Sequence, residues 1–425
     1  MARSLNTVLV HCVVSVTLLW RRGSAFVCSS EWQDFCPANG SKQTGCTPYN
    51  LLPPEVDWLQ LRKRLVKEMF GEDYLPMDNR PHSVTHTVVP HRFPDCLAAL
   101  PRWGTSPATV CEKLIPVTEI VWQMTARLNA TYAKNITSKV FLTLNSSGWA
   151  PGYSIWGADE PEAPEPPHRG KTLVIFHHGH GGSKGCPNYG DTDGTGDWLN
   201  QLGMDVATMM MPFFDCNTMV HQPGSLHAWF KLFEDQRIPW VRFFLEPVIK
   251  TINFAKERLG YERVILAGLS GGGWTTTLVA ALDPRIELSI PMAGSIPCDF
   301  RLTSKDFEQF CNLHWTGIGN YTALYVLAAL EPHRTSLQLL HEADPCCFHG
   351  CGRHRRIQEY GDFVRARSAG HFRTVVTEGN LHLVNPREKI IIGTLLYKMA
   401  RGQAVTAADL LTPFDLLREV DAIYS

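Results

Sequence analysis

The chain has 425 residues, 44% hydrophobic and 19% charged, an ordinary globular composition with enough length for a large core. Its formal net charge of -1 leaves no basic footprint for nucleic acid or for an anionic membrane surface. Neither class of partner is therefore expected.

The first residues carry the marks of export. Val8–Trp20 is an apolar run of signal-peptide length behind Arg3, and small residues at Gly23 and Ala25 suit cleavage after Ala25. Residues 1–25 are expected to be a signal peptide. The run is shorter than the roughly 20 residues of a membrane span. The Arg21–Arg22 pair before the cleavage site leaves an uncleaved signal anchor as the alternative. No later stretch is apolar and long enough to cross a bilayer, so no stable span is expected after cleavage. Asn39, Asn129, Asn135, Asn145 and Asn320 each open an acceptor sequon and are candidate glycosylation sites. Of 13 cysteines, Cys12 leaves with the signal, and the even remainder suits disulfides in an oxidising compartment. Secretion, or the lumen of the secretory pathway, is the expected location.

Residues 26–115 are rich in Pro, Cys and Trp and read as a disulfide-tied extension. It contains one expected helix, Pro53–Phe70, with Pro53 and Pro54 suited to its first turn. From residue 116 the texture becomes that of a catalytic domain running to 425. "VTEIVWQMT" and "SKVFLTLNSS" read as an antiparallel strand pair. Gly157–Gly170 is a Pro-rich acidic loop. Six short apolar runs follow, beginning near Thr172, Asp205, Arg263, Ile286, Ser336 and Phe372, with helical segments between them. Strands without polar alternation are buried on both faces. Alternation with helices then implies an α/β fold with a mostly parallel central sheet. The helical stretch before Arg263 is expected to close at Gly260. Residues 297–335 are mostly not strand-like and form a candidate lid.

The chemistry concentrates in "RVILAGLSGGGWTTTLVAAL". A buried strand runs into Gly268-Leu269-Ser270-Gly271-Gly272, and a helix follows. G-x-S-x-G in that strand–turn–helix context presents a serine on a sharp, strained turn, and Gly268 and Gly272 permit close strand–helix packing. A serine hydroxyl is a weak nucleophile and needs a base, which needs an orienting acid. After a later strand, "SLQLLHEADPCCF" supplies Asp344. After the last strand, a short loop supplies His382, ahead of a helix with Asn385 as N-cap and Pro386 at its first position. Glu342 is the nearer rival acid, and Glu331 another if "ALYVLAAL" is a strand. His371 precedes the last strand and faces the wrong sheet edge.

These motifs resemble the α/β-hydrolase superfamily over about three quarters of the chain. The resemblance rests on the elbow, the order Ser270, Asp344, His382, and the H-G turn in "LVIFHHGHGGSKG". It implies a Ser-Asp-His triad and an oxyanion hole built from backbone N–H groups: Gly271, and His180 or its neighbour Gly181. It also implies a serine hydrolase without a cofactor, acting on a small-molecule or polymer ester. A peptidase of the same fold, or a catalytically silent binding protein, are the alternatives.

Two clusters invite a metal reading. His177, His178 and His180 begin like a metal motif, but Gly181, Gly182 and Ser183 follow where further ligands would be needed. Cys346–His354 reads better as disulfides than as a zinc cluster. No metal is expected. His221–Phe233 and Trp274 are expected to pack more than to bind substrate.

Overall fold

A computed structural model describes residues 55–92, 112–127, 133–144, 172–180, 195–217, 238–297, 319–346 and 354–410, with positions 230, 233, 236 and 348 among them. The signal segment, Asn39, Asn129, Asn145, Gly181 and residues 298–318 of the candidate lid lie outside the described residues.

The strands are β1 (Ser83–Arg92), β2 (Glu112–Arg127), β3 (Ala133–Thr143), β4 (Thr172–His177), β5 (Asp205–Met209), β6 (Arg263–Leu269), β7 (Ile286–Met292), β8 (Thr335–His341) and β9 (His371–Thr377). The helices that matter are α1 (Trp58–Phe70), α2 (Thr195–Gln201), α3 (Arg242–Glu257), α4 (Gly271–Leu282), α5 (Tyr321–Ala328), α6 (His354–Arg365) and α7 (Pro386–Ala400). All nine strands form one sheet in the order β1-β2-β3-β5-β4-β6-β7-β8-β9. β1, β2 and β3 pair antiparallel, β3 meets β5 antiparallel, and β5 through β9 run parallel. The six apolar runs are thus the six parallel strands.

Their alternate residues feed two cores. Leu173, Ile175, Val264 and Leu266 face α1, α3, α4, α5 and α6. Val174, Phe176, Ile265 and Ala267 face α2 and α7. Burying one such aliphatic or aromatic side chain contributes about 1.5–3 kcal/mol, so neither face tolerates polar alternation. The strand pairing delivers the C-terminal ends of β4, β6, β8 and β9 to one edge of the sheet.

Several local expectations shift. The first helix begins at Trp58 instead of Pro53: Asp57 caps it by accepting from the Gln60 N–H at 3.0 Å. β2 runs straight through the expected boundary at 115/116, and α1 and β1 join the same core and sheet as the later elements. The described part of the extension is therefore integral to the sheet assembly. The first six residues of "ALYVLAAL" lie in α5, whose residues are all buried. It is a core helix between β7 and β8. Asn320 is also buried, and its side chain caps α5 by accepting from the Ala323 N–H at 2.8 Å. That duty leaves it unsuited to carry a glycan in the folded chain, whereas Asn135 is exposed on β3. α3 ends at Glu257, and Gly260 takes a positive φ of 75° just beyond it.

Candidate active site

β6 ends at Leu269 and α4 begins at Gly271, so the whole turn is Ser270. Its backbone sits at φ 59° and ψ -125°, a conformation that costs a non-glycine residue about 1–3 kcal/mol. The surroundings hold it there. The Ser270 N–H donates to the Met292 carbonyl, and the Ser270 carbonyl accepts from the Trp274 N–H, both at 2.9 Å.

Glycines are needed on each side. A Cβ on Gly268 would lie 2.5 Å from the Gly272 carbonyl oxygen, and one on Gly272 would lie 1.8 Å from the His177 carbonyl oxygen. The β4 exit is thus pressed onto the elbow. A Cβ on Gly179 would fall 2.6 Å from Ser270 Cβ and 2.8 Å from the Gly271 nitrogen. The backbone around Gly179 and His180 therefore passes directly over the serine and the first amide of α4.

Asp344 follows β8 and His382 follows β9, 38 residues apart in the chain. His382 Nδ1 stands 3.0 Å from Asp344 Oδ1 and 2.9 Å from Oδ2. The Asp344 side chain is fully buried, and the Cys346 N–H donates to its Oδ1 at 2.7 Å. Cys346 itself is disulfide-bonded. Burial pushes the Asp344 pKa up, but the hydrogen bond and charge of His382 outweigh it and hold the carboxyl below its ordinary value. His382 Nε2, the nitrogen turned away from Asp344, is buried without a hydrogen-bond partner. No Ser270–His382 hydrogen bond closes the constellation; such contacts often tighten only when substrate is bound.

Two of the rival residues fall elsewhere. Glu331 pairs with Arg62 and Arg334, well inside a structural network. His371 opens β9 opposite Thr335, at the other sheet edge. Trp274 is fully buried against Phe244, and Phe230 and Phe233 join the aromatic cluster of Trp240, Phe243 and Phe244.

The histidines of β4's exit divide their duties. Burial pushes the His177 imidazole down to about 4, so it is neutral, and its Nδ1–H donates to the His178 carbonyl at 2.7 Å. The His178 ring meets Phe176 edge-on at 4.7 Å. The His180 ring meets Phe214 edge-on at 4.9 Å, and its Cε1 lies 3.0 Å from where a Gly271 Cβ would be. Met211 Sδ approaches the same point to 2.1 Å. His180, Met211 and Phe214 therefore wall the space beside the Gly271 amide.

Two residues of this region went unnoticed in the sequence. His341, the last residue of β8, and Glu388, in the first turn of α7, are fully buried and paired at 3.0 Å. The Asn385–Glu388 spacing of a capping box was legible, but nothing in it points to a histidine 47 residues earlier. Among the described residues, His341, Asp344 and His382 are the group whose ligand-type atoms lie within 4.8 Å of one another. Zinc requires ligand nitrogens at about 2.0–2.1 Å from the ion. Here the Asp344 carboxylate is already taken up by His382 and the Cys346 amide, an arrangement of hydrogen bonds suited to proton handling.

No family model and no curated relative matches the chain. Among solved structures it is similar to the acetyl xylan esterase from Paenibacillus sp. R4, at 12% identity and TM-score 0.46, covering 89% of this chain and 100% of that one. It is also similar to acetyl xylan esterase 1 from Thermoanaerobacterium sp. JW/SL YS485, at 13% identity and TM-score 0.42, covering 84% and 94%. Est1E from Butyrivibrio proteoclasticus is a third, at 12% identity and TM-score 0.36, covering 66% and 98%. The chain's own strand order and its strand–Ser270–helix turn are those of the α/β-hydrolase fold.

Proposed function

We propose that the protein is a serine hydrolase that cleaves a carboxylic ester through an acyl-enzyme. One observation carries this reading. The buried Asp344 and the partly exposed His382, bonded at 2.9 Å, stand on the same sheet edge as Ser270 in its strained turn. Ser270 Oγ attacks the acyl carbonyl while His382 Nε2 takes its proton. Asp344 holds the ring in the tautomer that leaves Nε2 free to accept. The Gly271 N–H, with His180 or Gly181, donates to the tetrahedral oxyanion; one such donor is typically worth about 3 kcal/mol in the transition state. His382 then protonates the leaving alkoxide, and water repeats the sequence in reverse to release the acid and restore Ser270. No cofactor enters these steps.

The same proposal places the protein in the secretory pathway. Val8–Trp20, the Asn135 sequon with its asparagine exposed, and the disulfide-bonded Cys216 and Cys346 support it. No helix among the described residues is long and apolar enough to cross a membrane.

The test is labelling of the folded protein with a fluorophosphonate probe beside Ser270→Ala. Labelling of the wild type alone is expected. A folded wild type that resists the probe removes Ser270 as nucleophile and leaves the silent binding protein as the better reading. Turnover of ester against peptide substrates separates the two hydrolase readings.

A further inference from the structure

The Asp344–His382 pair is backed by a second buried ionisable pair. His341 Nε2 lies 3.0 Å from Glu388 Oε1 and 3.1 Å from Oε2. Glu388 also accepts from Thr377 Oγ1 at 3.1 Å and from the Asn385 N–H at 2.9 Å. On its other side, His341 Nδ1 points at Asp344: it is 3.9 Å from Oδ2 and has no hydrogen-bond partner. The side chains of His341, Glu388 and Asp344 are all fully buried.

Glu388 does not need a histidine to cap its helix, because Asn385 and Thr377 already serve its oxygens. What a capping box cannot supply is charge balance. Two buried carboxylates sharing one dry site cannot both stay ionised without a cation, and one of them takes up a proton. If that one is Asp344, it no longer accepts from His382 Nδ1, and the base loses its orientation. We propose that His341 is a positioning residue: as a cation set between Glu388 and Asp344, it keeps Asp344 ionised and directed at His382. This rests on the reading of Asp344 and His382 as acid and base.

Among the described residues, the charged groups facing His341 are few. Glu388 faces it from α7 and Asp344 from the turn after its own strand. β9 sets Thr377 beside it, β7 ends in Pro291 and Met292, and His382 reaches it only through Asp344. Burial opposes protonation of His341, but the hydrogen bond and charge of Glu388, and then the charge of Asp344, outweigh it and raise its pKa. With His341 charged, the four groups carry one net negative charge at rest. They become neutral as His382 accepts the serine proton, which is when the charge should be best balanced.

The experiment compares wild type, His341→Gln, Glu388→Gln and the double variant H341Q/E388Q, with kcat and KM measured across pH. In H341Q the two carboxylates share a proton. Its kcat is expected to fall about tenfold or more with KM little changed, and its acidic limb to move up by about one pH unit. In E388Q one anion is gone, so Asp344 stays ionised and the limb stays near its wild-type position. The double variant buries no unbalanced charge and is expected to recover most of the activity lost in H341Q. A residue that merely fills space would give the opposite pattern: no movement of the limb, and a double variant worse than either single. Either result overturns the proposal. Should H341Q not fold, the double variant must; if it does not, the charge-balance argument is wrong.

A second arm does not depend on turnover. Nitrogen-15 NMR of the His341 ring in Ser270→Ala is expected to show both nitrogens protonated at neutral pH. A neutral ring overturns the proposal even in an active enzyme. A wild type that fails to label with fluorophosphonate while this ring is doubly protonated sinks the catalytic reading and leaves the buried cation standing.

Discussion

The carbonyl oxygen of His177 and the α-carbon of Gly272 are in direct contact, so that a Cβ at 272 would lie 1.8 Å from that oxygen. The partner atom is backbone in the sheet's central strand pair and cannot rotate away. Gly272→Ala should therefore separate β4 from the elbow. Gly260 offers the contrast: its φ is positive, at 75°, which that of Gly272 is not, but nothing lies within 4 Å of a Cβ there.

Thermal or urea unfolding of the two variants should tell them apart. Gly260→Ala is expected to cost only the left-handed strain of about 1–2 kcal/mol. Gly272→Ala is expected to cost about 3 kcal/mol or more, in the range of overpacking against fixed atoms, and to abolish fluorophosphonate labelling. Equal losses at both sites would mean that the elbow can relax.

Asp344→Asn keeps the shape of the acid and removes its charge. The amide can present its NH2 to His382 Nδ1, which stabilises the wrong tautomer of the base. A loss in kcat of about 10⁴, with the protein folded and KM little changed, is the expected outcome. Asp344 has a depressed pKa in the fold, so its contribution to stability is present above the unfolded value of 3.8 and is lost as pH falls through the lower folded value. The acid unfolding of Asp344→Asn should lack that component. Activity within tenfold of wild type would remove Asp344 from the triad.

The parts legible in the sequence are those carried by local pattern. Six apolar runs became six parallel strands because two-sided burial leaves a continuous signature in five of them, β4 through β8, while β9, at the sheet edge, is only partly buried. Asn385 and Pro386 marked the start of α7 because a helix N-terminus is specified within four residues. Asp344 and His382 could be proposed because strand order fixes where loops emerge. The His341–Glu388 pair could not, since it links a strand end to a helix start across 47 residues and each residue has an ordinary local duty. α1 starts later than its sequence suggests because Pro53 and Pro54 suit a first turn equally well, and only the Asp57–Gln60 hydrogen bond fixes it. α5 resembled a strand or lid in sequence because a helix buried all round has no polar stripe to reveal its period.

His180 offers its backbone to the oxyanion and its ring to the neighbouring wall, and the two roles can be separated. His180→Ala keeps the N–H. It is expected to hold kcat on a small acyl ester within about tenfold, since a lost donor costs about 10²–10³. Met211→Ala removes the thioether that closes on Gly271 and should widen the acyl side. The ratio of kcat/KM for butyryl over acetyl esters is expected to rise by about tenfold, the worth of one or two methylenes in an apolar pocket. An unchanged ratio in both variants would place the acyl chain elsewhere.

Glu331 was a rival acid in the sequence, and its actual partners give it a stabilising role. Arg62 from α1 reaches it at 2.6 Å and Arg334 at 3.0 Å, and Arg62 also donates to the carbonyls of Ala281 and Leu327. The cluster ties α1 to α4 and α5. Burial raises the Glu331 pKa, but the hydrogen bonds and charges of the two arginines outweigh it and hold it below its ordinary value of 4.5. Its stabilisation is therefore complete above that value and disappears as pH falls through the folded one. Arg62→Ala removes the side-chain donor to the Ala281 carbonyl and the partner of Glu331 Oε1, while Arg334 still serves the Leu327 carbonyl and Glu331 Oε2. Because a quarter of the Glu331 side chain remains in water, the expected loss at neutral pH is about 2 kcal/mol, below that of a fully buried pair. The same variant should show a shallower fall in stability between pH 5 and 3 than wild type, measured as Tm against pH, while labelling of Ser270 is retained. A loss of labelling together with stability would mean that α1 supports the elbow as well as the core.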